Sequence, residues 1–585
     1  MKKIISIVLM LCILTSCQTP QSTETSSQPP AAQAEVSAGA AEAEQAAPEE
    51  TTQTSAPAEP EAPPEIMDLS SAELSEQVHV DQLGYRLNDV KKAVLAEGDT
   101  EFSVVRVSDG AVVFTGTSGD AYTDLASLDT VRVAEFTDVK DEGEYVVATG
   151  SGLSYPFTIG DNAYEGLRFA LLNMLNYQKC GVEMDLGVWA HEACHAEPAL
   201  IYGSDGVYKD VSGGWHDAGD YGRYIVPAAQ TVADILLGYE LSPNPDAEVL
   251  DIAWFEIEWM LKMQDEETGG VYHKVSCRSF NALNQMPQDE TGELVISPIS
   301  ITATADFAAT MAMAARFYPD KKDELLAASV KAYDYAVANQ DMPGFRNPSG
   351  VSTGEYGDGY NKDELFWAAC ELYATTGEEK YHEDIKAGNI HSGLGWADMG
   401  TFGMAAYLMH AKDFEADDGL LLRMKNKLLG DCQGIMKNYE TDPYGTSLGT
   451  NYYWGSNMGV GNNAMSLLLY SRTIEETPEY ELAALEHMRY LLGRNSISQG
   501  YITGFGENAA KNPHHRPSVA VGEAVPGMVV GGPNQSTGDD PTLRSNREGY
   551  PPAKCYVDHQ DSYASNEITI YWNSPVYFVM AALGL

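Results

Sequence analysis

Basic residues are scarce in this chain. Only 36 Lys and Arg stand against 85 Asp and Glu, a formal net charge of −49 over 585 residues. That imbalance argues against a nucleic-acid partner, because neutralising phosphates takes clustered cations. Long apolar runs are lacking too. The stretch from Ile4 to Leu14 falls short of the roughly 20 residues a membrane span needs, and no later segment reaches that length. No sequence repeat with a period of about 20–50 residues is present either.

What is there describes an exported protein of several domains. The length suggests two to four, and 44% hydrophobic with 10% aromatic residues allows sizeable cores. A supply of 33 Tyr and 8 Trp suits a neutral polymer that stacks on rings, such as a polysaccharide. Lys2 and Lys3 before the apolar run read as a secretory signal. Its ending, Leu14-Thr15-Ser16-Cys17, resembles a bacterial lipobox, in which Cys17 carries the lipid and the lipid alone holds the chain to a membrane. An ordinary signal peptide with an incidental cysteine is the competing reading. Residues 18–77, rich in Ala, Pro, Glu, Ser, Thr and Gln with no Lys or Arg, have the composition of a disordered acidic tether. Residues 78–160 hold short strands between turns. Val104–Val107 and Ala111–Phe114, for example, flank Ser108-Asp109-Gly110, and the pattern predicts a small all-β sandwich of immunoglobulin type. From 161 to 585 the periodicity is helical, with about a dozen helices separated by long Gly-rich loops. This predicts an all-α domain; twelve helices suit a double-layered barrel, although periodicity alone does not show closure.

Three segments place polar residues where apolar helices break off: Gly213-Gly214-Trp215-His216-Asp217-Ala218-Gly219-Asp220, Gly506-Glu507-Asn508 through Pro513-His514-His515-Arg516, and Tyr556-Val557-Asp558 through Tyr563, Glu567, Thr569 and Asn573-Ser574. Taken singly each has a plain reading. Asp217 and Asp220 suit a helix cap, His514 a satisfied core histidine, and Glu567 a capping box.

Together, in this order, they resemble glycoside hydrolase family 9, the inverting cellulases built on an (α/α)6 barrel. The likeness covers about residues 78–585, and Val80-Asp81-Gln82-Leu83-Gly84-Tyr85 resembles the start of the immunoglobulin-like module that precedes the barrel in one branch. One departure is Asp558-His559-Gln560-Asp561, where the family pattern is more acidic. The resemblance implies Glu567 as general acid, Asp220 as general base and Asp217 as a helper orienting the same water. His514 and Arg516 become contacts to sugar hydroxyls or carboxylates, supported by Asp558. The chemistry asks for the same inventory: one protonated carboxyl at the leaving oxygen and one carboxylate activating water. Tyr452, Tyr453 and Trp454, and likewise Tyr272 and His273, are candidate subsite residues, with core packing the alternative for the aromatics.

Cys180, Cys194, His195 and His216 offer two thiolates and two imidazoles, a donor set that suits closed, structural zinc. A Cys180–Cys194 disulfide is the competing reading in an exported protein, and the likeness to zinc-bearing members favours the metal. Cys277, Cys370, Cys432 and Cys555 read as buried thiols or a disulfide. Asp363 and Glu364, with Asp398 later, resemble a family calcium loop, while acidic residues in a helix's first turn explain the first two as well. The expected activity is endo-β-1,4-glucanase action on a β-glucan polysaccharide or oligosaccharide. An exo-acting cellobiohydrolase, trimming enzyme or glucosaminidase, and a non-catalytic glycan-binding lipoprotein, remain alternatives.

Overall fold

The computed structural model describes residues 65–585; the signal, Cys17 and most of the tether lie outside them. The first described residues do not continue the tether. Ile66 bridges Ala111 and Leu74 bridges Leu153, while Met67 and Leu69 cover Val105, Val146, Ala148 and Leu153. Met67 and Leu69, with the backbone bridges of Ile66 and Leu74, therefore fasten this segment to a sheet face, and the folded body begins about a dozen residues before the expected 78.

Ten strands form the sandwich: β1 Val78–His79, β2 Gly84–Tyr85, β3 Lys92–Ala96, β4 Glu101–Arg106, β5 Val112–Thr117, β6 Tyr122–Thr123, β7 Thr130–Glu135, β8 Gly143–Thr149, β9 Gly152–Leu153 and β10 Phe157–Ile159. One sheet runs β1-β3-β7-β6 and the other β2-β10-β8-β4-β5, with β9 on β8. The expected hairpin is β4–β5, antiparallel with a register shift after Val104. Tyr85, Phe136 and Phe157 meet edge-on or tilted in the core, with ring centroids 5.5–5.6 Å apart, as aromatic quadrupoles prefer.

The helical domain closes. Its long helices are α1 Leu167–Tyr177, α2 Ile225–Leu241, α3 Glu248–Lys262, α4 Ile301–Phe317, α5 Lys322–Ala338, α6 Lys362–Thr376, α7 Glu379–Ala387, α8 Gly400–Met409, α9 Asp418–Tyr439, α10 Ser456–Thr473, α11 Pro478–Leu491 and α12 Ile570–Leu583. Neighbour contacts run α2–α4–α6–α8–α10–α12 and back to α2, an inner ring of six, and each remaining helix backs a member of that ring. Burial explains the sorting. α4 is buried from Ile301 to Ala315 and α12 from Ile570 to Ala582, as a helix apolar all round must be. By contrast α9 buries only Leu420, Met424, Leu428 and Cys432, a single i, i+4 stripe. A small five-stranded sheet that periodicity did not reveal lies over one end: Ala199–Ile201, Tyr208–Lys209, Arg223–Tyr224, Lys274–Cys277 and Leu294–Ile296.

The sandwich is bound to the barrel through buried charge. Val94, Ala126 and Val131 join the barrel's hydrophobic cluster. Beside them, fully buried Arg489 donates to Glu486 (2.5 Å), Asp89 (2.8 Å) and the Val90 carbonyl (2.7 Å), with its guanidinium 4.8 Å from the Tyr85 ring. Burial alone would raise Glu486, but Arg494 and Arg489 hold it down to about 2. Removing one member of such a buried network strands the others. Arg489→Met should therefore lower the unfolding free energy by about 3 kcal/mol in denaturant titration. Because the Glu486 carboxyl is depressed on folding, its stabilisation should be complete above its ordinary value of 4.5 and lost as pH falls through about 2.

Candidate active site

Two irregular segments meet over the open end of the inner ring. The first, Gly213–Gly222, is shaped by its glycines. Gly214 has a φ of +77°, and a Cβ there would lie 2.6 Å from the Trp259 ring, so a side chain fits neither the backbone nor the space. This turn lets Cys180 N donate to Gly214 O (2.8 Å) and His216 N to Gln178 O (2.7 Å). The Gln178 amide in turn donates to the carbonyls of His216 (3.1 Å) and Ala218 (2.9 Å).

The second segment carries Glu567. It lies just before α12, whose first turn is capped by Thr569 Oγ1 accepting from Trp572 N at 3.1 Å. Asn573 fastens that helix by accepting from Val529 N (2.7 Å) and donating to the Leu171 and Gly527 carbonyls. His514 pairs with Glu567 as a parallel bridge, and Ile570 N donates to Asp217 O (2.8 Å). Arg516 joins the two segments: its backbone N (3.2 Å) and its Nη1 (2.6 Å) both donate to Gly219 O. A Cβ on Gly219 would overlap the His514 carbonyl, so the contact requires glycine.

Asp217, Asp220 and Glu567 thereby share one cleft of about 740 Å³ with His514, Arg516 and a wall of aromatic rings. Tyr356 packs edge-on to Trp396 (5.3 Å) and Tyr571 (5.9 Å), and Trp454 sits 5.5 Å from Tyr563. Three carboxyls in so dry a place cannot all ionise readily. Burial, then Asp220 and Asp217, push Glu567 well above the usual carboxylate range. Burial also raises Asp217 strongly, against a hydrogen bond from the Tyr356 hydroxyl. Asp220 is raised by burial, but the Arg516 charge and the Gly222 N–H (2.9 Å) pull it back, and Tyr224 adds a hydroxyl at 3.3 Å. Arg516 opposes the rise at Glu567 as well as at Asp220. The site thus sorts into two carboxyls pressed well above the usual range, Glu567 and Asp217, and one raised less, Asp220, whose donors favour its charged form.

His514 lines the cleft, and its Nδ1 donates to the Gln560 carbonyl at 2.6 Å. Burial lowers its pKa, which keeps the ring neutral with Nε2 as an acceptor. Asp558 does not line the cleft; it accepts from Asn512 N (2.9 Å), Lys511 N (3.0 Å) and the Asn566 amide (3.1 Å), fixing the turns ahead of His514 and Glu567. Of the expected subsite aromatics only Trp454 reaches the cleft, 41% exposed. Tyr452 is buried, the Tyr453 hydroxyl turns toward Gly459, and the Tyr272 hydroxyl donates to Asp265 (3.1 Å).

His273 is corrected as well. It is fully buried, stacked on Phe345 at 3.7 Å, with Nδ1 on Ser300 Oγ (2.8 Å) and Nε2 on the Glu355 carbonyl (2.9 Å), so no nitrogen is left for a sugar. Its neighbour Lys274, buried, donates to Thr353 Oγ1 (3.0 Å) and to the Gly354 carbonyl. Together they hold the loop bearing Tyr356, whose φ is +45°. Sequence reasoning missed Tyr356, Lys274 and the cleft-lining Phe280, since none stands at a motif spacing.

Beneath the first segment, ligand atoms of Cys180, Cys194, His195 and His216 all lie within 4.8 Å of one another. The two sulfurs are 3.8 Å apart, and the Cys180–His195 Nδ1 and Cys194–His216 Nε2 separations are both 3.6 Å. A disulfide needs about 2.05 Å, so Cys180 and Cys194 are thiols, as are Cys277, Cys370, Cys432 and Cys555. Tetrahedral zinc, with bonds of about 2.3 Å to sulfur and 2.0–2.1 Å to nitrogen, has edges of roughly 3.4–3.8 Å, which these separations match. His195 Nε2 meets Glu290 at 3.0 Å, the outer partner a ligating imidazole uses. A second cluster surrounds the start of α6. Asp363 Oδ2 accepts from Met399 N (2.7 Å), yet its Oδ1, both oxygens of Glu364 and of Asp306, and Asp358 Oδ2 are buried without partners. Burial first, then Asp363 and Asp358, raises Asp398 beside them. Asp306 and Asp358 were not among the expected ligands.

The chain matches "Glycosyl hydrolase family 9" over residues 164–580 and "Cellulase N-terminal ig-like domain" over 73–153. It is 35% identical over 552 residues to a cellodextrinase of Butyrivibrio fibrisolvens, covering 87% of this chain and 99% of that one. A thermostable endoglucanase from Alicyclobacillus acidocaldarius, solved as a single mutant, superposes with a TM-score of 0.81 at 37% identity, over 87% of this chain and 99% of that one. A "Zn-binding triple mutant" of a family 9 endoglucanase does so at 0.80 and 31%, over 86% and 99%. With the barrel, the preceding sandwich and the three-carboxyl cleft in place, the chain belongs to glycoside hydrolase family 9.

Proposed function

We propose that this enzyme is an endo-acting β-1,4-glucanase that cleaves by single displacement with inversion. Glu567 gives its proton to the leaving glycosidic oxygen while Asp220 takes one from the attacking water. Asp217, held by Tyr356, orients that water, and His514 and Arg516 contact sugar hydroxyls. The observation that carries this reading is the unequal setting of the three carboxyls, Glu567 pressed toward its protonated form and Asp220 supplied with donors. The cleft remains open at exposed Trp454 and Phe280, which favours a chain entering along its length. Trimming of short oligosaccharides is a second reading, favoured by the relative named a cellodextrinase.

Zinc in the Cys180–Cys194–His195–His216 cluster fits as a closed structural ion; it would bind the backbone that runs directly from His216 into Asp217. Calcium fits the buried, unpartnered oxygens of Asp306, Asp358, Asp363 and Glu364, whose burial is costly without a cation, with exposed Asp398 beside them as a further oxygen donor. The leader supports export with a lipid on Cys17, leaving the enzyme facing outward from a bacterial membrane.

Viscometry on carboxymethylcellulose tests the activity: a rapid fall with little reducing sugar is expected, and release of a single short product would favour trimming. On the same polymer Glu567→Gln should lose about 10³-fold or more yet spare aryl glycosides with good leaving groups, which need little protonation. Asp220→Ala should lose both activities, and equal losses for both variants on both substrates would contradict the assignment. Elemental analysis should find stoichiometric zinc, and stripping it at neutral pH should lower the melting temperature and activity together. A metal-free chain with unchanged melting temperature would refute that part.

A further inference from the structure

We propose that Phe280 is a sugar-stacking platform that extends the cleft by an outer subsite and sets preference for longer chains; this rests on the glucanase reading above. Phe280 is 49% exposed while lining the cleft that holds the three carboxyls. An exposed aromatic ring continuous with a saccharide cleft has one natural occupant, the apolar face of a pyranose.

The ring is also held, as a binding platform must be. Arg516 lies against it, its guanidinium 5.6 Å from the ring centroid, a cation–π contact that fixes the ring's orientation. The same guanidinium donates through Nη2 to the carbonyl of Asn281, next in the chain (3.1 Å), and through Nη1 to Gly219 O (2.6 Å). One side chain therefore ties the platform to the loop that carries Asp220. The rest of the Phe280 loop is tethered twice more. Tyr221 donates to the Gln285 carbonyl at 2.6 Å, and Glu290 meets His195 Nε2 at 3.0 Å. A loop so fastened keeps its exposed ring in place without a ligand, so the stack costs little ordering on binding.

Two measurements test this in the full chain. Phe280→Ala should lower the ratio of kcat/KM for cellohexaose to that for cellotriose by about fivefold to tenfold, the worth of one aromatic contact, and Phe280→Tyr should restore it. In the Asp220→Ala background, calorimetric titration with cellohexaose should show a dissociation constant weakened by a similar factor when Phe280→Ala is added. An unchanged ratio, or unchanged affinity, would overturn the platform. Failure of the parent enzyme to cleave any cello-oligosaccharide would instead refute the glucanase reading, and the titration still decides the platform because it needs no turnover.

Discussion

The active site depends on a backbone contact: Gly219 pressed against His514, with its carbonyl gripped twice by Arg516. The base and acid candidates are far apart in sequence, Asp220 and Glu567, and no disulfide among the described residues fixes their distance. Their relation is set by main-chain hydrogen bonds, Arg516 N to Gly219 O and Ile570 N to Asp217 O. Main-chain contacts of this kind tolerate little displacement, which is what a water-activating pair requires.

Everything around that contact serves to hold it dry and fixed. The inner helices supply a buried platform, and Glu567 stands just ahead of the capped start of α12. One member of the thiol–imidazole cluster, His216, adjoins Asp217, so a structural ion there would stiffen the backbone that carries Asp217. On the opposite wall, His273 and Lys274 hold the Tyr356 loop from beneath. The sandwich contributes as well: Gln82 accepts from Asn508 N (2.8 Å) and donates to the Ser498 carbonyl (2.7 Å), bracing the segment that leads to His514. Its docking joins apolar contacts of Val94, Ala126 and Val131 to the buried charges around Arg489, and the charges make the join sensitive to strong acid.

Much of this is legible in the sequence. Asp217, Asp220, Glu567, His514 and Arg516 stand in short motifs, and short motifs survive as local geometry; all five reach one cleft. Cys180, Cys194, His195 and His216 were legible as a donor set, though only the 3.8 Å sulfur separation excludes the disulfide. What sequence could not show was direction. His273 and Tyr453 have side chains that suit a sugar, yet the first is consumed by Ser300 and Glu355 and the second faces Gly459. Nor does a sequence show which ordinary residue a fold will carry into the site. Tyr356 arrives through a left-handed backbone angle, Asp306 through its place on α4, and Phe280 through a loop tethered elsewhere. The folded body starts earlier than composition suggests for a related reason: two apolar side chains, Met67 and Leu69, with backbone bridges at Ile66 and Leu74, suffice to fasten a segment when a sheet face lies uncovered.

The central claim is that Asp220 and Glu567 act across the cleft in one displacement. NMR of the anomeric proton in freshly released product from cellohexaose tests it most directly. Inversion at a β-linkage should release the α-anomer first, with the β-anomer appearing only by later mutarotation. Initial release of the β-anomer would mean retention and would contradict it.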